Sequence, residues 1–163
     1  MSSPHIRPYE SKDAESLCAV FFDAVRVTGL RDYSDAQVKV WAPAIPDPTD
    51  FEARASDGRI VFVAVNESDD AIAYGDLETN GHIDHLYCRP ETTGVGIASA
   101  LYDRIEQKAR ELKIARLFVE ASEAARRLFL GKGFIEVNRR EFLLHGLPIH
   151  NYRMEKSLAA SKE

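Results

Sequence analysis

Leu86-Tyr87-Cys88-Arg89-Pro90-Glu91-Thr92-Thr93-Gly94-Val95-Gly96-Ile97-Ala98 carries a strand into a helix through a glycine turn. Pro90 ends the β-rich run because its ring fixes φ and removes an N–H, and Gly94 and Gly96 free the backbone for a tight reversal. From Ile97 onward apolar residues recur at Leu101, Ile105 and Leu112 with charges between them, which is helical spacing. A glycine turn that opens a helix leaves backbone N–H groups unpaired and facing outward, and such a cluster receives phosphate groups.

Three kinds of fold use a turn of this sort. A P-loop needs Gly-Lys-Ser/Thr at its end, which is absent here. A dinucleotide fold needs Gly-x-Gly-x-x-Gly; Gly94 and Gly96 match it, Ser99 occupies the third place, and Glu120 stands near the ribose-binding acid's position. The third fits more of the chain. Thr93-Gly94-Val95-Gly96-Ile97-Ala98 resembles the Arg/Gln-x-x-Gly-x-Gly/Ala signature of the GNAT superfamily of N-acetyltransferases, with Thr93 in place of Arg or Gln. The preceding Leu-Tyr-Cys-Arg-Pro is similar to that family's strand ending in Val-x-Pro. Phe129-Leu130-Gly131-Lys132-Gly133-Phe134 is similar to its Tyr-x-x-x-Gly-Phe block, with Phe129 in place of the tyrosine.

Outward from this centre, Ile6–Tyr9 reads as a first strand and Ser11 as the cap of a helix through Val25. Ser34 with Gln37 has capping-box spacing for a short second helix ending before Pro43. Pro43–Thr49 reads as a loop and Asp50–Ala55 as one further helical turn. Arg59–Asn66, Ala71–Glu78 and His82–Cys88 read as strands, the last two joined by Asn80-Gly81. After the helix Gly94–Leu112 come a strand Arg116–Ala121, a helix Glu123–Lys132 capped by Ser122, and two strands, Phe134–Leu144 and Leu147–Glu155. With the order that the resemblance implies, the fold is α/β: a GNAT-type mixed sheet of about seven strands, antiparallel except for a central parallel step, flanked by about four helices. Residues 1–156 read as one domain and 157–163 as a polar tail.

The 163 residues, 45% of them hydrophobic, suffice for a real core, and a net charge of −5 argues against nucleic acid or an anionic membrane as partner. Two cysteines, Cys18 and Cys88, are too few for a disulfide framework, and with no apolar leader or long apolar span the expected setting is cytoplasmic. His82-x-x-His85-x-x-Cys88 does not converge on a metal, because on a strand the middle residue faces the other way.

The resemblance implies acetyl-CoA as co-substrate and an amine acceptor, a small molecule favoured over a protein N-terminus, with a homodimer left open. Its pantetheine arm would lie along Leu86, Tyr87 and Cys88, and its pyrophosphate over Thr93, Gly94, Val95, Gly96, Ile97 and Ala98. Ser122 and Phe129 would border it, and Arg126 or Arg127 would be placed to reach a phosphate. Tyr33 and Trp41, in the connection between the first helices, would wall the acceptor site. A general base is expected from His82 or Asp84, which share a strand face. Phe129 cannot protonate the leaving thiolate, which leaves Tyr152, Tyr87 or water. Two other readings stay open: a non-catalytic acyl-CoA-binding regulatory module, and a dinucleotide-binding domain resting on Gly94, Gly96 and Glu120.

Overall fold

The computed structural model describes residues 4–159. Strand β1 (His5–Pro8) leads through a 3-10 turn into helix α1 (Ala14–Arg26). The turn is closed by Asp13 rather than Ser11. The Glu10 N–H donates to Asp13 Oδ2 at 2.8 Å, and Arg7 grips both carboxylate oxygens at 2.9 Å, which lets Asp13 sit 3% exposed. Ser11 instead donates its hydroxyl to Glu52. Helix α2 (Asp35–Trp41) starts at the expected capping box: Ser34 Oγ accepts the Gln37 N–H, and the Gln37 side chain accepts the Ser34 N–H. Helix α3 (Pro48–Ala55) begins earlier than its apolar residues suggest, because Asp47 caps it and Pro48 takes the first helical position.

Strands β2 (Ile60–Val65), β3 (Ala71–Leu77) and β5 (Leu86–Cys88) join β1 in one sheet of order β1-β2-β3-β5, antiparallel throughout. Strands β4 (His82–Ile83), β6 (Arg116–Ala121), β7 (Ile135–Leu144) and β8 (Leu147–Ser157) form a second sheet of order β4-β6-β8-β7. The pairing of β4 with β6 is the parallel step. Helix α4 (Ile97–Glu111) crosses between the sheets, and α5 (Glu123–Gly131) follows β6. Alternation divides the first sheet's faces: Val61, Val63 and Tyr74 pack towards α1 and α3, while Phe62, Ala64 and Ala73 pack in a core with Leu101 and Ile105 of α4.

Three boundaries move from the sequence reading. The single strand expected over His82–Cys88 breaks at Asp84-His85, so the described residues form eight strands where about seven are expected. The cause is Asp76, fully buried on β3, whose Oδ1 accepts the N–H of both Asp84 (2.8 Å) and His85 (2.9 Å). Its Oδ2 accepts from Arg54 (2.6 Å) and Arg59 (3.0 Å). Those two strand amides are taken out of the ladder, and the chain passes from one sheet to the other. At the end of the chain, Ser157 closes β8 and Leu158 is buried, its N–H on the Ala115 carbonyl at 2.7 Å. Ser157 and Leu158, expected in the polar tail, thus belong to the folded part; residues 160–163 lie outside the described part. The loop expected over Pro43–Thr49 is shortened by the early start of α3.

Candidate active site

Because β4 leaves β6 after two residues and β5 belongs to the other sheet, the chain splays open between β5 and β6. Two cavities meet in this gap, of about 400 Å³ and about 150 Å³. Leu86, Tyr87, Ser122, Ala125, Tyr33 and Trp41 line both. On its other side β5 pairs with β3, with the Arg89 N–H on the Ile72 carbonyl and the Tyr74–Tyr87 pair in register. By the alternation of an antiparallel ladder, the amides of Leu86 and Cys88 then face the gap. Burial pushes the Cys88 thiol up to about 11, so it is no ready nucleophile.

The smaller cavity runs towards the glycine turn, with Thr93 and Ala98 in its wall. At Gly94 (φ 84°) and Gly96 (φ 87°) the backbone is left-handed, and a β-carbon at either would meet nothing within 4 Å. Among the described residues, the amides of Gly94, Val95, Gly96, Ile97, Ala98 and Ser99 have no hydrogen-bond partner; the first helical bond runs from Ala100 to the Gly96 carbonyl. Helix α4 has no side-chain cap. Thr93 turns its hydroxyl to the Pro90 carbonyl and receives the Arg31 guanidinium at 3.5 Å. Thr28 Oγ1, in the same cavity wall, is buried with no partner among the described residues. Arg126 and Arg127 are engaged elsewhere, with Glu136 and Asp32. Thr28 and Arg31 carried no motif that could have singled them out.

The larger cavity holds the ionisable groups. Asp84 lines it, but Arg54 (2.7 Å) and Arg59 (3.3 Å) donate to its Oδ2. Burial works to raise its carboxyl, yet the Arg54 hydrogen bond and the charges around it hold it at about 2. His82, expected as a base, has both ring nitrogens engaged. Its Nδ1 donates to Glu78 (2.6 Å) and its Nε2 to Glu120 (2.7 Å), and the Glu120 hydrogen bond leads in raising it to about 9. An imidazolium with both N–H groups occupied has no lone pair to offer. Glu120 lines the cavity with His82 on its Oε1 and the Arg153 guanidinium 3.4 Å from its Oε2, and its carboxyl is held below the usual range chiefly by the His82 hydrogen bond. His85 lines it too, with Nδ1 on the Tyr74 hydroxyl at 2.8 Å, and burial presses it down to about 4, so it stays neutral.

The remaining expected residues divide. Tyr33 is 6% exposed, donates to the His150 carbonyl (3.0 Å) and accepts the Glu123 N–H (3.1 Å), and it meets the Trp41 ring edge-on at 5.6 Å. Tyr152 lines neither cavity, and its hydroxyl donates to Glu123 at 2.7 Å under the Arg126 guanidinium. Phe129 is fully buried against Tyr102 and Phe134. Ser122 Oγ caps α5 by accepting the Ala125 N–H.

Among known proteins, residues 29–156 match the acetyltransferase (GNAT) domain family. The chain is 30% identical over 155 residues to the uncharacterized N-acetyltransferase YafP of Escherichia coli K12, spanning 94% of this chain and 96% of that protein. A GCN5-related N-acetyltransferase (aminotransferase, class II) from Rhodopseudomonas palustris superposes with a TM-score of 0.88 at 32% identity, over 97% of this chain and 98% of that one. A phosphinothricin acetyltransferase from Sinorhizobium meliloti, solved with acetyl-CoA, shares the fold at a TM-score of 0.77 and 19% identity, covering 99% and 93%. The splayed sheet, the uncapped glycine turn and these matches lead to one conclusion: the chain belongs to the GNAT superfamily of acetyltransferases.

Proposed function

We propose that this protein transfers the acetyl group of acetyl-CoA directly to the amine of a small molecule, with Glu120 receiving the amine's proton. The observation that carries the reading is the continuity of the gap. Unpaired amides at Gly94–Ser99 lead along the open edge of β5 into a cavity walled by a carboxylate. The turn suits a pyrophosphate, with Arg31 supplying the positive charge that Thr93 lacks. The Thr28 hydroxyl and the free edge of β5 suit the amides of a pantetheine arm. A Leu86 or Cys88 amide facing the gap suits the oxyanion that forms when the acetyl carbonyl is attacked.

An alkyl amine with pKa about 10.4 arrives protonated. Glu120 attracts it, accepts its proton and leaves the nitrogen lone pair free to attack, while His82 and Glu78 hold the carboxylate in place. Asp84 is the more tightly held carboxylate, with Arg54 at 2.7 Å and Arg59 at 3.3 Å on one oxygen, whereas the arginine on Glu120, Arg153, stands at 3.4 Å. The second proton of the attacking nitrogen goes to the departing thiolate, whose pKa is near 8.5; Tyr87, which lines both cavities and whose hydroxyl is raised by burial, is the candidate to relay it. The high thiol pKa of Cys88 favours this direct route over an acetylated cysteine. Free Cys18 and Cys88 and a co-substrate of the cell interior support a cytoplasmic setting.

The test is thiol release from acetyl-CoA over an amine library with Glu120→Gln beside the wild type. The variant is expected to bind acetyl-CoA normally and to lose about 10²–10⁴ in rate at neutral pH, with recovery as pH rises and the amine deprotonates itself. Full activity in Glu120→Gln at neutral pH would remove Glu120 from the mechanism.

A further inference from the structure

Resting on that reading, we infer that the acceptor is a compact zwitterion of the amino-acid class, its amine held at Glu120 and its anionic group at Arg140 of β7. In the second sheet Glu120 stands opposite Arg153, and Arg140 stands opposite Asn151. Arg153 and Asn151 lie two apart on β8, so all four side chains share one face. That face, with Phe142 and Ile149, forms one wall of the 400 Å³ cavity. Strands β6 and β7 flank β8, so their backbones stand about 10 Å apart, and Glu120 and Arg140 reach over β8 from either side. The span left between their charged ends suits a small molecule that bears both signs.

Arg140 is built for an anion. Its Nη1 donates to Asn151 Oδ1 at 2.9 Å, and its guanidinium lies 5.2 Å from the Phe142 ring centroid, so hydrogen bond and ring together fix its plane. Among the described residues no carboxylate comes within ion-pair distance of Arg140. By contrast Arg54 and Arg59 pair with Asp76, and Arg153 pairs with Glu155 at 3.2 Å and more loosely, at 3.4 Å, with Glu120, where the amine would displace it. A fixed guanidinium with donors to spare at a cavity wall recognises carboxylate or a similar planar anion. Across the cavity, Phe21, Trp41 and Tyr87 offer aromatic area for an apolar body between the two charges. A polycation finds no such complement, because Arg140 would oppose its second charge.

The experiment is steady-state acetylation by the full chain of each proteinogenic amino acid beside its own amide, with phenethylamine and spermidine as acceptors lacking an anion. Acetyl-CoA affinity is measured in parallel by calorimetry. In the wild type at least one amino acid is expected to exceed its amide by about 10-fold or more in kcat/KM, since a charge-assisted hydrogen bond is lost in the amide. In Arg140→Gln that ratio should fall towards one, mainly through KM, with acetyl-CoA affinity unchanged, and Arg140→Lys should restore part of it. Comparing the ratio between variant and wild type cancels the difference in amine pKa. Amides, phenethylamine or spermidine serving the wild type as well as the acids would overturn the zwitterion while leaving acetyl transfer intact. A ratio retained in Arg140→Gln would do the same. If acetyl-CoA binds yet no amine is acetylated, the transfer reading fails and the acceptor class falls with it.

Discussion

At one end of β5 the chain turns at Gly94–Gly96 with its amides unpaired; at the other it breaks at Asp84-His85 with both amides held by one buried carboxylate. Both bends depart from regular structure, and both border the gap. The first keeps its donors for a ligand and needs almost no side chains. The second consumes its donors internally and depends on Asp76, Arg54 and Arg59 acting together. A backbone bend whose amides remain free has donors to offer a ligand, whereas one whose amides are satisfied is a scaffold that aims the residues on either side of it. Here the scaffold separates His82 and Asp84, which a straight strand would have placed on one face.

The sharpest way to break this contrast is Asp76→Ala. It would leave two buried amides unsatisfied and two guanidinium groups with Asp84 as their one remaining shared carboxylate, and is expected to cost about 3–5 kcal/mol in unfolding free energy. Urea denaturation measures it. A loss below about 1 kcal/mol would mean that the kink holds without its pin.

The glycine turn should show the opposite pattern, in binding more than in folding. Gly96→Val forces a branched side chain into a left-handed position and sets it where phosphate would approach; acetyl-CoA affinity should fall at least about 100-fold. Thr93→Ala at the same turn should change affinity only a few-fold, since the cradle is backbone. Calorimetry on both variants settles the point, and the reverse order would move the cradle elsewhere.

The smallest effect is a pH window on the arm of the kink. His82 is raised from 6.5 to about 9 in the folded chain, so the stabilisation it brings is fully present below pH 6.5 and is lost as pH rises through about 9. The loss is on the order of 2 kcal/mol, and it should be absent from His82→Gln. Unfolding curves at pH 6 and pH 9.5 for both proteins give the comparison; equal pH dependence would show that the two carboxylates do not hold a charged His82.

Much of the fold was legible because it rests on local chemistry. The capping box at Ser34 and Gln37, the cap at Ser122 and the turn at Gly94 and Gly96 depend on residues within a few positions of one another, and each formed where its pattern placed it. Signature blocks then gave the family. The cap of α1 was misplaced because Asp13 outcompetes Ser11 only with Arg7 beside it.

What the chain alone could not reveal is which charges neutralise which. His82 looks like a free base until Glu78 and Glu120 close on both its nitrogens, one from the neighbouring strand across the hairpin and one from across the parallel step. Glu120 passes for a ribose-binding acid until the splay turns it towards a cavity, and Arg140 is one basic residue among several until its neighbours prove to be paired. Glycine and proline act on their own backbone, so sequence exposes them directly. A titratable side chain takes its role from the charges and burial that other segments bring to it, and only the tertiary structure assembles those.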